Sequence, residues 1–313
     1  MRRNLQLSLI WLAVGAVGAC KPDSVITTDN IPTAGVRFIN AVPDTNQMDF
    51  RFVDIVENNV QFRIVYRNTI AISGTGAAAV PASTQIQFKP AQAGSRHYRI
   101  FLNDPAGSQV INSTVIKDGT TTLEAGKNYT FLLWGYASPT GPGRPAGAPA
   151  MKLDIIEESV ADPGAQVALR VINATKDPID VRRYVSTGTA PATATWANVA
   201  GQSIATYQTV APDTFQFNVQ PAGGGAALFA DSRAMIGCPA NDGKSGTFLP
   251  CQGIVGPVDA LPGTTVAGSA VTMIVFPRSV AGTPAPQTTS APSYATPQPS
   301  FMWDRRPPRP PGT

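Results

Sequence analysis

The chain has one histidine, His97, and three cysteines, Cys20, Cys238 and Cys251, in 313 residues. A single histidine excludes a His-pair metal site and leaves a catalytic triad one candidate base. Charged residues make up only 14% of the chain, against ~25% in ordinary soluble domains. The net charge of +4 owes much to the termini, through Arg2, Arg3, Arg305, Arg306 and Arg309. Clustered Lys and Arg are missing from the body, so no nucleic-acid partner is expected. An acidic calcium loop, a phosphate loop with its Lys and a Gly-x-Ser-x-Gly elbow are also missing. No metal, no cofactor, no catalytic residue and no enzymatic activity are therefore expected. Long amphipathic patterns of Glu, Lys and Leu are absent too, which argues against helices.

What is present is 29 prolines, 28 glycines and a hydrophobic fraction of 43%. Turn formers between β-branched runs predict an all-β protein with many short strands. The start "MRRNLQLSLIWLAVGAVGAC" reads differently. A basic segment, a short apolar run and small residues are the layout of a secretory signal peptide. The apolar stretch Leu9–Ala19 is shorter than the ~20 residues a membrane-crossing helix needs.

Val17, Gly18, Ala19 and Cys20 resemble the bacterial lipobox. That resemblance implies cleavage before Cys20 and its acylation, with attachment to a membrane through the lipid. Lys21 stands where an inner-membrane retention aspartate would stand, so the outer membrane, on its periplasmic face or at the cell surface, is the expected site. Cys238 and Cys251 bracket "CPANDGKSGTFLPC". Outside the cytoplasm such a pair reads most simply as a disulfide, and two Cys without a further ligand are too few for zinc.

The remainder repeats itself. "GVRFINAVPDTNQMDFRFV" from Gly35 is matched by "ALRVINATKDPIDVRRYV" from Ala168, about 133 residues later. Arg37, Asn40 and Asp49 correspond to Arg170, Asn173 and Asp180. "EAGKNYTFLLWGYA" and "VAGSAVTMIVF" close the two copies, with Gly126 and Thr130 matching Gly268 and Thr272. "VRFINA", "MDFRFV", "HYRIFL" and "TFQFNV" alternate at period two; "YTFLLWGYA" and "VTMIVF" are apolar throughout, as in strands covered on both faces. In "VRFINA", Val36, Phe38 and Ala41 are expected to face inward and Arg37 and Asn40 outward.

Two tandem immunoglobulin-like antiparallel β-sandwiches follow, with a disordered Pro-rich C-terminal tail. The boundaries are 1–19 for the signal peptide, 20–34 for a tether, 35–158 and 165–280 for the sandwiches and 283–313 for the tail. "SPTGPGRPAGAP" (138–149) is expected to be a flexible loop before a last strand, "AMKLDIIEE". The first copy's "VRFINAVPDTNQMDFRFV" and "TLEAGKNYTFLLWG" resemble the bacterial family called domain of unknown function 4397. The second copy departs from it at Lys176, Asp177 and Val271. The resemblance implies an immunoglobulin-like fold and a secreted or lipid-anchored protein, and it assigns no catalytic residues.

Individual residues admit plain readings beside functional ones. His97 is expected to be a strand-face side chain. Asp49 and Asp180 fit turn capping or strand pairing, with Arg37 and Arg170 as cross-strand partners, or matched carboxylates of a ligand site. Trp134, Tyr136 and Trp196 fit core packing, or an aromatic platform for sugars. Trp134, Trp196 and Trp303 are the candidate ligand-binding residues. In the tail, "SFMWD" is apolar enough to dock on an envelope protein or a cell-wall polymer. The overall expectation is a lipid-anchored envelope protein with a structural, adhesive or ligand-binding role, or a carbohydrate- or cell-wall-binding module.

Overall fold

Strings that place β-branched and aromatic residues at every second position can bury one side of a pleated strand. Strings that are apolar throughout can bury both. The chain uses both kinds. A computed structural model describes residues 31–45, 48–54, 66–68, 72–73, 80–81, 87–102, 113–239, 241–242, 257–258, 260–280 and 296–308. No helix occurs among them.

The first half contributes β1 (Thr33–Ala41), β2 (Met48–Phe52), β3 (Tyr66–Asn68), β4 (Ile72–Ser73), β5 (Val80–Pro81), β6 (Lys89–Gln92), β7 (Gly94–Leu102), β8 (Val115–Leu123), β9 (Asn128–Trp134) and β10 (Lys152–Glu157). The second contributes β11 (Val167–Asn173), β12 (Ile179–Val185), β13 (Trp196–Val199), β14 (Ser203–Ile204), β15 (Gln208–Val210), β16 (Phe215–Pro221), β17 (Ser232–Arg233), β18 (Asn241–Asp242), β19 (Pro257–Val258), β20 (Ala270–Phe276) and β21 (Gln298–Arg305).

Each half is a β-sandwich. In the first, the sheet β10-β9-β1-β6 faces β3-β2-β7-β8; in the second, β14-β11-β20-β21, with β15 also on β11, faces β13-β12-β16-β17. The strand orders match position for position along both sheets. The pairings are antiparallel except that β1 runs parallel to β9 and β11 parallel to β20. These two parallel pairs lie within otherwise antiparallel sheets. They arise because the first strand and the late apolar strand of each half are neighbours in one sheet.

Within the first half, Val36, Phe38, Phe131 and Leu133 pack on Phe50 and Ile100. The Phe50 and Phe131 rings lie 4.7 Å apart. Within the second, Leu169, Val171, Met273 and Val275 pack on Val181, Phe217 and Val219. A third cluster joins the halves: Ile39, Ala41, Leu132 and Trp134 meet Ile172, Ala174, Ile274, Phe276 and Met302. The outer faces of β1, β9, β11 and β20 thus bury each other, which explains why β9 and β20 carry no polar alternation.

Three expectations are corrected here. Arg37 does face away from its own sandwich, but it is buried, because that face is the seam between the halves. Asn40 is buried as well, on the side of Val36 and Phe38 by strand alternation, and its Oδ1 accepts the Val42 N–H at 3.0 Å. Asn173 does the same for the Thr175 N–H at 3.0 Å, so the recurring Asn is a turn former at the strand end. Ala41 belongs to the seam rather than to the inner core.

The tail is not disordered throughout. Residues 298–305 form β21, antiparallel to β20, because "PSFMWD" offers Phe301 to the second core and Met302 to the seam. Nor is the 138–149 loop loose. Arg144 reaches the buried Asp44 at 3.0 Å, and Asp44 also accepts the N–H groups of Ala137 and Ser138 at 2.8 and 2.9 Å. The leader, with Cys20, lies outside the described residues.

Candidate functional site

The parallel registers decide where the recurring polar residues go. Arg37 on β1 sits opposite Thr130 on β9, and Arg170 on β11 sits opposite Thr272 on β20. In both pairs the arginine Nε donates to the threonine Oγ1 at 2.7 Å. An aromatic ring covers each guanidinium: Phe88 lies 4.4 Å from Arg37, and Tyr207 4.6 Å from Arg170. Phe88 precedes β6 and Tyr207 precedes β15, so these too are equivalent places in the two halves.

The carboxylates come from the strands that end each half. Glu158 follows β10. Its Oε1 accepts from Arg37 Nη2 at 3.0 Å and from the Thr130 hydroxyl at 2.5 Å, and its Oε2 accepts from Arg170 Nη2 at 2.7 Å. Asp304 on β21 accepts from Arg37 Nη2 and from the Thr272 hydroxyl. It also accepts from Arg170 Nη2 at 3.4 Å and from the Tyr207 hydroxyl at 2.7 Å. Each arginine therefore contacts the carboxylate of its own half and that of the other half. β21 carries a register shift opposite Ala270 and Val271, with Arg305 paired to Ala270 and Trp303 to Val271. Asp304 is the extra residue of that bulge, and the bulge turns it into the seam.

Two positive and two negative side chains are removed from water here, all less than a tenth exposed. Desolvating them is costly, and the cost is offset only when every lone pair and N–H is matched. Burial pushes the Asp304 carboxyl upward, but Arg37, Arg170 and the Thr272 hydroxyl outweigh it and hold the carboxyl below the ordinary aspartate range. The same carboxylates hold the Arg170 guanidinium firmly charged despite its burial. Burial and the adjacent Asp304 raise the Tyr207 hydroxyl, which stays a donor.

Beside this cluster lies a cavity of about 370 Å³. Asn128, Glu158, Val160, Trp303, Asp304, Arg305 and Arg306 line it. The Trp303 ring meets Phe88 edge-on at 5.5 Å, and Arg306 lies over it at 4.8 Å.

The residues singled out from sequence fall in different places. Trp134 is 1% exposed in the seam cluster, and Lys152 covers its ring at 4.6 Å. Trp196 is 5% exposed in the second core. Both are corrected from ligand platforms to core residues, because less than a tenth of each is exposed. Tyr136 is buried as well. Trp303 alone of the three is half-buried and lines a cavity.

Asp49 pairs with Arg51 at 2.7 Å. Asp180 accepts the N–H groups of Asn198 and Gly223 at 2.7 and 3.2 Å. Arg37 and Arg170 are thus not their cross-strand partners: the arginines face the seam, while Asp180 holds two loops. His97 contacts Asp118 on β8 at 2.6 Å, and Arg99 binds the other oxygen of that carboxylate at 2.6 Å. Hydrogen bonds from His97 and Arg99 lower the Asp118 pKa. Cys238 is buried; Cys251 lies outside the described residues. Glu158 and Asp304 were the functional residues that sequence reasoning passed over. Their one shared signal is an acidic residue at the end of an apolar edge strand.

This architecture defines a class: a double β-sandwich whose halves are held by a buried ring of arginines and carboxylates. Residues 34–184 match the family described as Domain of unknown function (DUF4397). The match opens within β1 and ends within β12, so it takes in the first half and the first two strands of the second. No curated protein matches the chain.

Proposed function

We propose that this chain is a lipid-anchored, non-enzymatic protein of the bacterial cell envelope, in which two copies of one domain form a rigid structural or ligand-binding unit. The observation that carries the non-enzymatic reading is how the duplicated polar residues are used. Arg37, Arg170, Thr130 and Thr272 are bonded to one another and to Glu158 and Asp304 inside the seam. They are spent on holding the halves together. The matching strand orders support descent of both halves from one domain.

The envelope assignment is supported by the leader and by Val17-Gly18-Ala19-Cys20. On this reading Cys20 carries the lipid and Cys238 pairs with Cys251 in an oxidising compartment, at the outer membrane. Fractionation with metabolic acyl labelling tests the anchor. The wild-type chain should carry label and sediment with membranes, and Cys20→Ala should lose both. Equal labelling of the two would remove the anchor.

A second reading is a carbohydrate- or cell-wall-binding module. Trp303 favours it, being a half-buried indole beside a cavity. Retention on peptidoglycan or a glycan array that falls on Trp303→Ala supports it. Retention of neither form rejects it.

A further inference from the structure

An edge strand presents unpaired N–H and C=O groups, which folded chains guard by shortness, charge, proline or a bulge. Among the described residues, every edge of the two sandwiches but one is guarded in this way. β3, β6, β13, β14, β15 and β17 run two to four residues. β10 carries Lys152, Asp154 and Glu157 in six residues. β21 carries Pro299 and its bulge.

β8 is the exception. Its one partner among the described strands is β7. It runs nine residues without proline, and its charges are confined to Lys117 and Asp118. Gly119–Leu123 is uncharged, and the bulge of the β7–β8 pair lies at the other end, beside Val115. The second half treats the matching edge differently. There β17 has two residues, and the chain then turns inward, with Ala234 buried and Met235 packed on the core. The repeated domain thus shortens this edge in one half and keeps it long in the other.

The ladder fixes which backbone groups are open. The Val53 N–H donates to the His97 carbonyl at 2.8 Å, so the backbone groups of His97 face β2. Thr120 lies opposite His97 on β8, and its N–H and C=O therefore point away from β7. By alternation those of Asp118 and Thr122 do the same. The side chains of all three residues are exposed.

We infer that β8 is a self-association edge, through which two copies of this chain pair antiparallel about a two-fold axis at Thr120. Such an interface must be self-complementary, and this register is. Thr120 meets Thr120 of the second copy, a favourable cross-strand pair. Asp118 meets Thr122, setting a hydroxyl beside a carboxylate. Lys117 meets Leu123, so no like charges face each other. An axis at Asp118 would oppose two carboxylates, and an axis at Thr122 would carry the pairing past the end of the strand. The axis at Thr120 engages all three outward-facing residues of each copy and joins two four-stranded sheets into one of eight strands.

The test is sedimentation velocity of the full chain in density-matched detergent, over a concentration series reaching about 300 µM. The wild type should pass from one copy to two. Thr120→Lys sets two lysines against each other across the axis and should weaken the pairing roughly fivefold or more, with thermal unfolding unchanged. Thr120→Glu should do the same, and an equimolar mixture of the two variants should restore the pairing. Amide exchange of the wild type gives a second reading: protection of Asp118, Thr120 and Thr122 should rise with concentration. A single-copy wild type across the series overturns the inference. Association that Thr120→Lys leaves unchanged, that the mixture does not restore, or that leaves these three amides unprotected uses another surface and overturns it as well.

Discussion

Arg37 donates through Nη2 to Asp304 Oδ1, joining the first strand of the first half to the last strand of the second across 267 positions of chain. Both side chains are at most 1% exposed. Removing one member of a buried pair strands the other without compensation, at a cost of about 3–5 kcal/mol. Asp304→Asn should therefore lower the unfolding free energy by about that amount, read as a shift in urea midpoint with little change in slope. A loss no larger than that of an exposed pair, about 0.5 kcal/mol, would deny the cluster its structural role.

The same carboxyl sets an acid limit. Its native pKa lies below the ordinary value, so the unfolded chain binds the proton more readily. The stabilisation from Asp304 is complete above pH ~4, where the unfolded carboxyl is ionised. It disappears as pH falls through the depressed native value. Urea midpoints measured at pH 7, 4 and 3 should fall more steeply with acid in the wild type than in Asp304→Asn.

The C-terminal strand completes the second sandwich. A chain ending at residue 297 lacks Phe301 in the second core and Met302 in the seam, and loses the ladder on β20. Amide exchange should then speed up along β20, while the amides of β2 and β7 keep their protection. Unchanged protection on β20 would show β21 to be dispensable.

Trp134 should behave as a core residue. Trp134→Ala should cost about 3–5 kcal/mol, as for other buried large-to-small replacements. Trp303→Phe, at a half-buried position, should cost less than half as much by the same denaturation measurement.

Most strands were legible because burial imposes a period. β1, β2, β7, β9, β16 and β20 fall on strings read from alternation or continuous apolarity, and β11 falls on the repeat of β1. β8 was not read as a strand. "VIKDGTTTL" lies at a sheet edge with most side chains intermediate or exposed, so its hydroxyl-rich alternation carries no apolar stripe. The site was half legible. Arg37 and Arg170 were found because they recur, but they were matched to Asp49 and Asp180, which recur with them.

The true partners do not repeat as strings. Glu158 follows "IIE", whereas Asp304 follows "FMW" and sits on a bulge. Their equivalence exists in the sheet, as parallel functions of β10 and β21, and not in local sequence. A Pro-rich segment before β21 also hid that the second half ends in a strand. The outward assignment of Arg37 failed for a related reason: a face can point away from one core and be buried by another.

The most direct test of the account is a double-mutant cycle between Arg37 and Asp304, using Arg37→Met and Asp304→Leu singly and together and reading unfolding free energy in urea at pH 7. The account predicts a coupling of about 2 kcal/mol or more, within the range found for close buried charge pairs, with the double variant less destabilised than the sum of the singles. Additivity within about 0.3 kcal/mol would contradict it, because two groups that lock the halves together cannot be lost independently.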